Sequence, residues 1–344
     1  MIVLLHCTRP GSKLHPSFPL PIASPRFRVI RRKRPLSAGR GGISIITIGL
    51  TNFSDHDELY GKKKPAERLP AYSETFKLVE LDSSFYAIQP VKNYEKWVSQ
   101  TPDDFGFVIK AYQGMTGHLR EKKNYFDTPE EMFAAFHTSL APVIEADKLT
   151  MTLFQYPPWF DCTRENVEKL RVTREFMKDV PCALEFRHQS WYSPQFRDKT
   201  LDFMRKEGWI QTVVDEPQAG SGSIPIIAHA TSDEATYVRM HGRNVGGWHK
   251  SSDPNWRKLR YLYRYSTEEL TEWRDILLDL DKQSKHVYVA FNNNSDKDAT
   301  PNALELMELL GQPIPPGAPW PPQEPSGQAA QADEPEQPQQ EKLF

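Results

Sequence analysis

The chain is poor in cysteine, in long apolar runs and in the short signatures that announce common catalytic sites. Its 344 residues contain three cysteines, Cys7, Cys162 and Cys182. That is too few for a disulfide framework, and their spacing fits no zinc signature. A reducing, cytoplasmic setting is expected. No apolar stretch approaches the roughly 18 residues a membrane helix needs, which argues against a helical span and a membrane partner. HExxH, Walker A, GxSxG and paired CxxC sequences are all missing. Zincin, P-loop, nucleophile-elbow and dithiol chemistries therefore lack their usual residues.

What is present is unevenly spread. Residues 1–42 carry nine of the 43 Lys and Arg and none of the 45 acids, leaving 34 bases against 45 acids, or −11, for the remainder. Six prolines fall in residues 1–42 and nine in 312–344, together 15 of the 29. Such ends hold too few periodic apolar residues for burial to offset the entropy of ordering. Both are expected to be disordered, with residues 43–311 as a single folded domain. Arg26, Arg28, Arg31, Arg32, Lys33 and Arg34 allow three readings of the arm. It binds nucleic acid phosphates, it is a transit peptide, or it is a mobile arm or sequence translated ahead of the true start. The last is favoured.

Short β-branched or apolar runs recur at about 43–50, 78–84, 106–111, 150–156, 182–187, 211–216, 236–242 and 286–292. Helical patterns lie between them at about 65–75, 92–100, 128–146, 163–178, 194–207, 267–282 and 301–310, whereas 217–235 reads as a loop. Thr128 or Asp127 suits a cap for the third of these helices, with Glu130 and Glu131 in its first turn. Eight strands alternating with helices predict an α/β fold, a (β/α)8 TIM barrel. A doubly wound open sheet is the runner-up. It usually has a Gly-rich phosphate turn after its first strand, but here the first strand runs into LTNFSDHDELY.

The strand ends carry the chemistry. A parallel barrel strand is dry on both faces except at the C-terminal mouth, so a charge late in a strand is expected to reach the mouth and find a partner. The second strand supplies Glu80 and Asp82, the third Lys110, the fourth Gln155, and the fifth Glu185, Arg187, His188 and Trp191. The sixth supplies Asp215 followed by Glu216, the seventh Arg239, His241 and Arg243, and the eighth Asn292 and Asn293. Glu185 and Arg187 have a plainer reading as an internal ion pair tying the mouth. Convergence of polar groups from seven strands favours a ligand site. Glu80, Asp82, Lys110, Glu185, His188, Asp215 and His241 are the candidate catalytic groups, as bases, acids or ligands of a divalent metal. Phe85, Tyr86, His118, Gln155, Arg187, Trp191, Arg239, Arg243, Asn292 and Asn293 are the candidate ligand contacts. Gly246 and Gly247 either admit a phosphate to the backbone or form a simple turn.

The segments RLPAYSETFKLVELDSSFYAI, ALEFRHQSW, YVRMHGRN and VYVAFNNN resemble the YecE-like family, the domain of unknown function 72, from about residue 45 to 311. GLTNFSDHDELY and KAYQGMTGH are similar to its YunF-like branch. The resemblance implies a TIM barrel, similar in shape to endonuclease IV and xylose isomerase, and no settled activity. It gives no counterpart for residues 1–42. At the other end, QEKLF resembles the bacterial sliding-clamp-binding motif. Its Gln340, Leu343 and Phe344 are the expected contacts, while Glu341 and Lys342 depart from the stricter form.

Three functions follow as expectations. One is a barrel hydrolase, phosphodiester-directed and metal-assisted, recruited to DNA by the clamp. Another is a small-molecule barrel enzyme acting on a phosphorylated or sugar-like substrate. The third is a non-catalytic adaptor that binds a ligand at the rim.

Overall fold

A computed structural model describes residues 46–119, 125–220, 223–248 and 259–321. The basic arm at 1–42, the tail from 322 onward and the clamp-motif residues Gln340, Leu343 and Phe344 lie outside the described residues. Along the chain come β1 (Ile46–Thr51), α1 (Asp57–Tyr60), α2 (Pro65–Thr75), β2 (Leu78–Leu81), α3 (Ser83–Tyr86), α4 (Val91–Ser99) and β3 (Gly106–Lys110). Next are α5 (Pro129–Glu145), β4 (Leu149–Gln155), α6 (Arg164–Phe176), β5 (Cys182–Glu185), a 3-10 turn (Gln189–Tyr192) and α7 (Arg197–Glu207). The series ends with β6 (Ile210–Asp215), β7 (Thr236–Met240), α8 (Val245–Trp248), α9 (Thr267–Asp281), β8 (Val287–Phe291) and α10 (Ala299–Leu309).

Every neighbouring pair of strands is parallel, and β1 pairs with β8 from Ile46↔Val287 to Leu50↔Phe291, closing the barrel. The fold is the expected (β/α)8 TIM barrel, and pairing of the first with the last strand excludes an open sheet. The described part of 217–235 contains no α-helix, as its Gly, Ser and Pro content predicts. Among the described residues no helix is long and apolar enough to cross a membrane.

Local chemistry sets the helix starts. Thr128 caps α5 by accepting from the Glu131 N–H at 3.2 Å, and Thr163 caps α6 through the Asn166 N–H at 3.3 Å. Ser266 and Glu269 form a reciprocal capping box at α9. Two apolar layers follow from strands buried on both faces. One lies between the strands and the helices. The other plugs the lower barrel with Leu78, Val108, Leu153, Ala183, Tyr237 and Ala290 among others.

Residues 312–321, which composition assigned to the tail, run along the body. Gln312 donates to the Ile46 carbonyl at 2.8 Å, and Ile314, Ala318 and Trp320 pack on the core. The Trp320 N–H reaches Glu308 at 3.1 Å. Three apolar side chains in ten residues are too sparse for a periodic signal, yet each finds the barrel.

Candidate functional site

Side chains two apart on a strand share a face. Stepping up by two from the apolar plug gives a second tier of Glu80, Lys110, Gln155, Glu185 and Arg239. The same step leads to a top tier of Asp82, Arg187, Glu216, His241 and Asn292. All ten therefore face the barrel interior or its mouth.

Arg239 occupies the centre. Its Nη2 and Nε donate to Glu80 at 2.6 and 2.8 Å, and its Nη1 to Glu185 Oε2 at 2.7 Å. Tyr237 from the tier below also donates to Glu80, and Thr51 adds a bond of 3.4 Å. Above this lies Arg187, with Nε 2.5 Å from Glu185 Oε1, Nη1 on Glu216 and Nη2 2.8 Å from His241 Nε2. Burial works against the Glu185 charge, but Arg187 and Arg239 outweigh it and hold the carboxyl well below the usual carboxylate range. At Glu80 and Glu216 burial is the stronger influence and pushes each carboxyl up, against the pull of Arg239 and Arg187 respectively. Burial, then Arg187 and Arg239, push the His241 imidazole well below its ordinary value, so it is neutral. Guanidinium is donor-only, so Nε2 accepts and the ring proton sits on Nδ1. The Asn292 amide lies 2.7 Å from Nδ1. The amide nitrogen is the atom placed there, so with the proton on Nδ1 the amide has to be turned over for its oxygen to accept.

The ion-pair reading of Glu185 and Arg187 is thus realised within a larger lattice. Leaving a buried charge unpaired costs several kcal/mol, which explains why acids and guanidiniums alternate through the barrel. Three members had been singled out as catalysts, Glu80, Glu185 and His241. Their polar atoms face one another and Arg187, Arg239 and Asn292 inside the protein, although Glu185 Oε1, ion-paired with Arg187 Nε, makes no hydrogen bond. Arg187 and Arg239, expected to hold an anion, already hold carboxylates.

Other candidates stand on the opposite face. Asp215 has the wrong parity for the mouth. It accepts from Arg243 Nε at 3.0 and 3.1 Å and from the Trp273 N–H of α9 at 3.1 Å. Burial pushes its carboxyl up, with Arg243 pulling the other way. Gly242, at φ 86°, turns the chain after His241 so that Arg243 points outward to Asp215 and to Glu269 at 3.0 Å. Asn293 also faces away and donates to the Tyr263 carbonyl at 2.8 Å and to Asn302 at 3.1 Å. Trp191 is a core residue, stacked on Phe186 at 4.0 Å, with its N–H on the Phe160 carbonyl at 2.7 Å. His188 caps the 3-10 turn, with Nδ1 2.7 Å from Ser190 Oγ. Gly247 gives its N–H to Asn244 at 3.1 Å.

The accessible rim is different. Asp82 and Lys110 form an ion pair of 3.1 Å, with side chains 25% and 12% exposed. Burial raises the Asp82 carboxyl, but Lys110 and then Arg239 bring it below its ordinary value. The Lys110 ammonium lies 5.1 Å from the centre of the Phe85 ring, which meets His118 edge-on at 5.0 Å. His118 in turn meets Trp159 at 5.8 Å. Burial, Lys110 and Arg187 push His118 down to about 4, and its Nδ1 lies 2.8 Å from Thr116 Oγ1. Gln155 closes this side from β4, half-buried. Tyr86 and Trp159 remain 66% and 44% exposed.

A divalent cation does not fit this donor set. Among the described residues no three His, Cys, Asp or Glu side chains group as a metal requires, and the deep carboxylates already bind guanidiniums. Two mouth residues escaped the candidate set. Glu216 was readable from parity, six residues above the inward-facing Ile210. Arg260 lies in the run RKLRYLYRY, beyond any strand end, and had no sequence signal.

Fold and mouth together define a TIM barrel whose interior charges neutralise one another beneath a half-open polar rim. The chain belongs to the family described as Protein of unknown function DUF72, which it matches over residues 47–325. It is 54% identical over 268 residues to the UPF0759 protein YunF of Bacillus subtilis (strain 168), covering 77% of this chain and 95% of that one. It is similar to the crystal structure of a DUF72 family protein from Enterococcus faecalis V583, with a TM-score of 0.74 and 40% identity over 78% of this chain and 97% of that one. A DUF72 family protein from Thermotoga maritima MSB8 gives a TM-score of 0.67 and 32% identity, covering 78% and 100%.

Proposed function

We propose that the C-terminal mouth binds, and acts by proton transfer on, a small ring-bearing molecule of sugar-like character. The observation that carries this reading is the contrast between tiers. Deep charges are paired among themselves, whereas Asp82, Lys110, His118 and Gln155 keep open surface beside the exposed rings of Tyr86 and Trp159. Lys110 and Asp82 are the proton-transfer pair, acid and base 3.1 Å apart. A neutral His118 and the Gln155 amide hydrogen-bond hydroxyls, and an aromatic face packs on the ring. Thermal shift with glucose, glucose 6-phosphate and glucuronate tests the reading. At least one is expected to raise the midpoint of the full-length protein, and Lys110→Met and Asp82→Asn are expected to lose the effect. No shift from any of the three, or shifts unchanged in both variants, overturns it.

A second reading rests on the terminal QEKLF: recruitment to DNA by the sliding clamp. The −11 balance of residues 43–344 disfavours broad DNA affinity, and a clamp tether offsets this through effective concentration. Deleting residues 340–344 is expected to abolish binding to the purified clamp; equal binding without them refutes it.

A further inference from the structure

Arg260 is the guanidinium at the mouth that has no carboxylate in ion-pair contact among the described residues, Glu216 and Glu185 acting on it only from further off. Its Cζ lies 3.9 Å from the centre of the Trp248 ring, in cation–π contact. Its Nε is buried and makes no hydrogen bond. Arg187 approaches the same ring at 5.9 Å, but it is ion-paired with Glu185 and Glu216 and reaches His241 at 2.8 Å, although its own Nε likewise makes no hydrogen bond. Trp248 thus stands against two cations, of which one is in ion-pair contact with carboxylates and the other, among the described residues, feels Glu216 and Glu185 only from further off.

The arrangement is built rather than incidental. Asn244 donates to the carbonyls of Leu259 and Leu262 at 2.8 and 3.1 Å, and its Oδ1 accepts the Gly247 N–H at 3.1 Å. One side chain therefore stitches the segment carrying Trp248 to the segment carrying Arg260. Gly247 makes the stitch possible, because a Cβ there would meet the Leu259 carbonyl oxygen at 2.3 Å. The GRNVGGW sequence serves to seat a tryptophan under an arginine.

The geometry points to an anion subsite at Arg260, taking the carboxylate of the bound molecule. This deepens the reading above and rests on it for the ring: the substrate class becomes a sugar acid or similar carboxylated ring. A planar guanidinium matches a carboxylate by two parallel N–H···O bonds, and a guanidinium with no ion-pair partner among the described residues matches one negative charge. A phosphate dianion is best served by a second free cation, and among the described residues the neighbouring Arg187 and Lys110 are both held by acids.

Acetate, a monocarboxylate without a ring, separates the two claims. Isothermal titration of the full-length protein is expected to detect acetate binding. It weakens by about tenfold or more in Arg260→Gln and by less in Arg260→Lys, which keeps the charge but loses the fork. Glucuronate is expected to bind more tightly than glucose, and Arg260→Gln to erase that preference. Acetate failing to bind, or binding equally to Arg260→Gln, overturns the subsite even if the sugars bind. Acetate binding lost in Arg260→Gln, with no sugar binding at all, upholds the subsite and overturns the sugar reading instead. Circular dichroism of each variant confirms folding.

Discussion

Glu185 is the residue on which the buried lattice turns, because it is the carboxylate that pairs with both Arg187 and Arg239. Glu185→Gln keeps the shape and removes the charge, leaving two buried guanidiniums undercompensated. The expected loss of unfolding free energy is about 3 kcal/mol, read from urea denaturation; a loss under about 1 kcal/mol would mean that Glu80 and Glu216 suffice. A residue nearer the surface gives a pH signature. His118 is pushed down from 6.5 to about 4, so the unfolded chain takes up its proton first as the pH falls. Its contribution is fully present above about 6.5 and fades as the pH drops toward about 4. The stability of the wild type relative to His118→Gln is expected to decline across that window, and a pH-independent difference would contradict the assignment.

At the scale of elements, strands were readable and pairing was not. Parallel barrel strands are dry on both faces, so their apolar runs stand out in the sequence. Charges at their ends stood out against those runs, which made Glu80, Lys110, Glu185, Arg187 and Arg239 legible as mouth residues. Which charge meets which was illegible, since Arg239 and Glu80 are 159 residues apart. Strand parity would have separated Glu216 from Asp215 and Asn292 from Asn293, but neighbouring polar residues at a strand end carry no label of direction. The Trp248 segment offers a test between adjacent glycines. Gly247→Ala drives a Cβ into the Leu259 backbone at 2.3 Å, whereas at Gly246 the nearest contact is Asn244 Oδ1 at 3.6 Å. Gly247→Ala is expected to cost about 1–3 kcal/mol. Gly246→Ala is expected to be near neutral, so equal thermal midpoints would contradict the close packing.

For the whole molecule, composition misjudged where the packed body ends. Removal of residues 312–344 takes away Ile314, Ala318 and Trp320 together with the Gln312 bond to Ile46. The midpoint of thermal unfolding is expected to fall by several degrees, at roughly 2–4 °C per kcal/mol for a chain of this class. An unchanged midpoint would show that the segment adds nothing to the barrel.

That same Gln312–Ile46 bond brings a side chain three residues beyond α10 against the residue that opens β1, at the end of the barrel opposite the mouth. A ring of eight parallel strands has no intrinsic first member, and here the stretch after the last helix touches the start of the first strand. Circular permutation is the consequence. Joining 321 to 46 through a linker, which keeps Ile314, Ala318 and Trp320 in place, and reopening the chain at another connection on that face would renumber every strand. The tiers of charge above, fixed by strand parity and not by chain order, would keep their places.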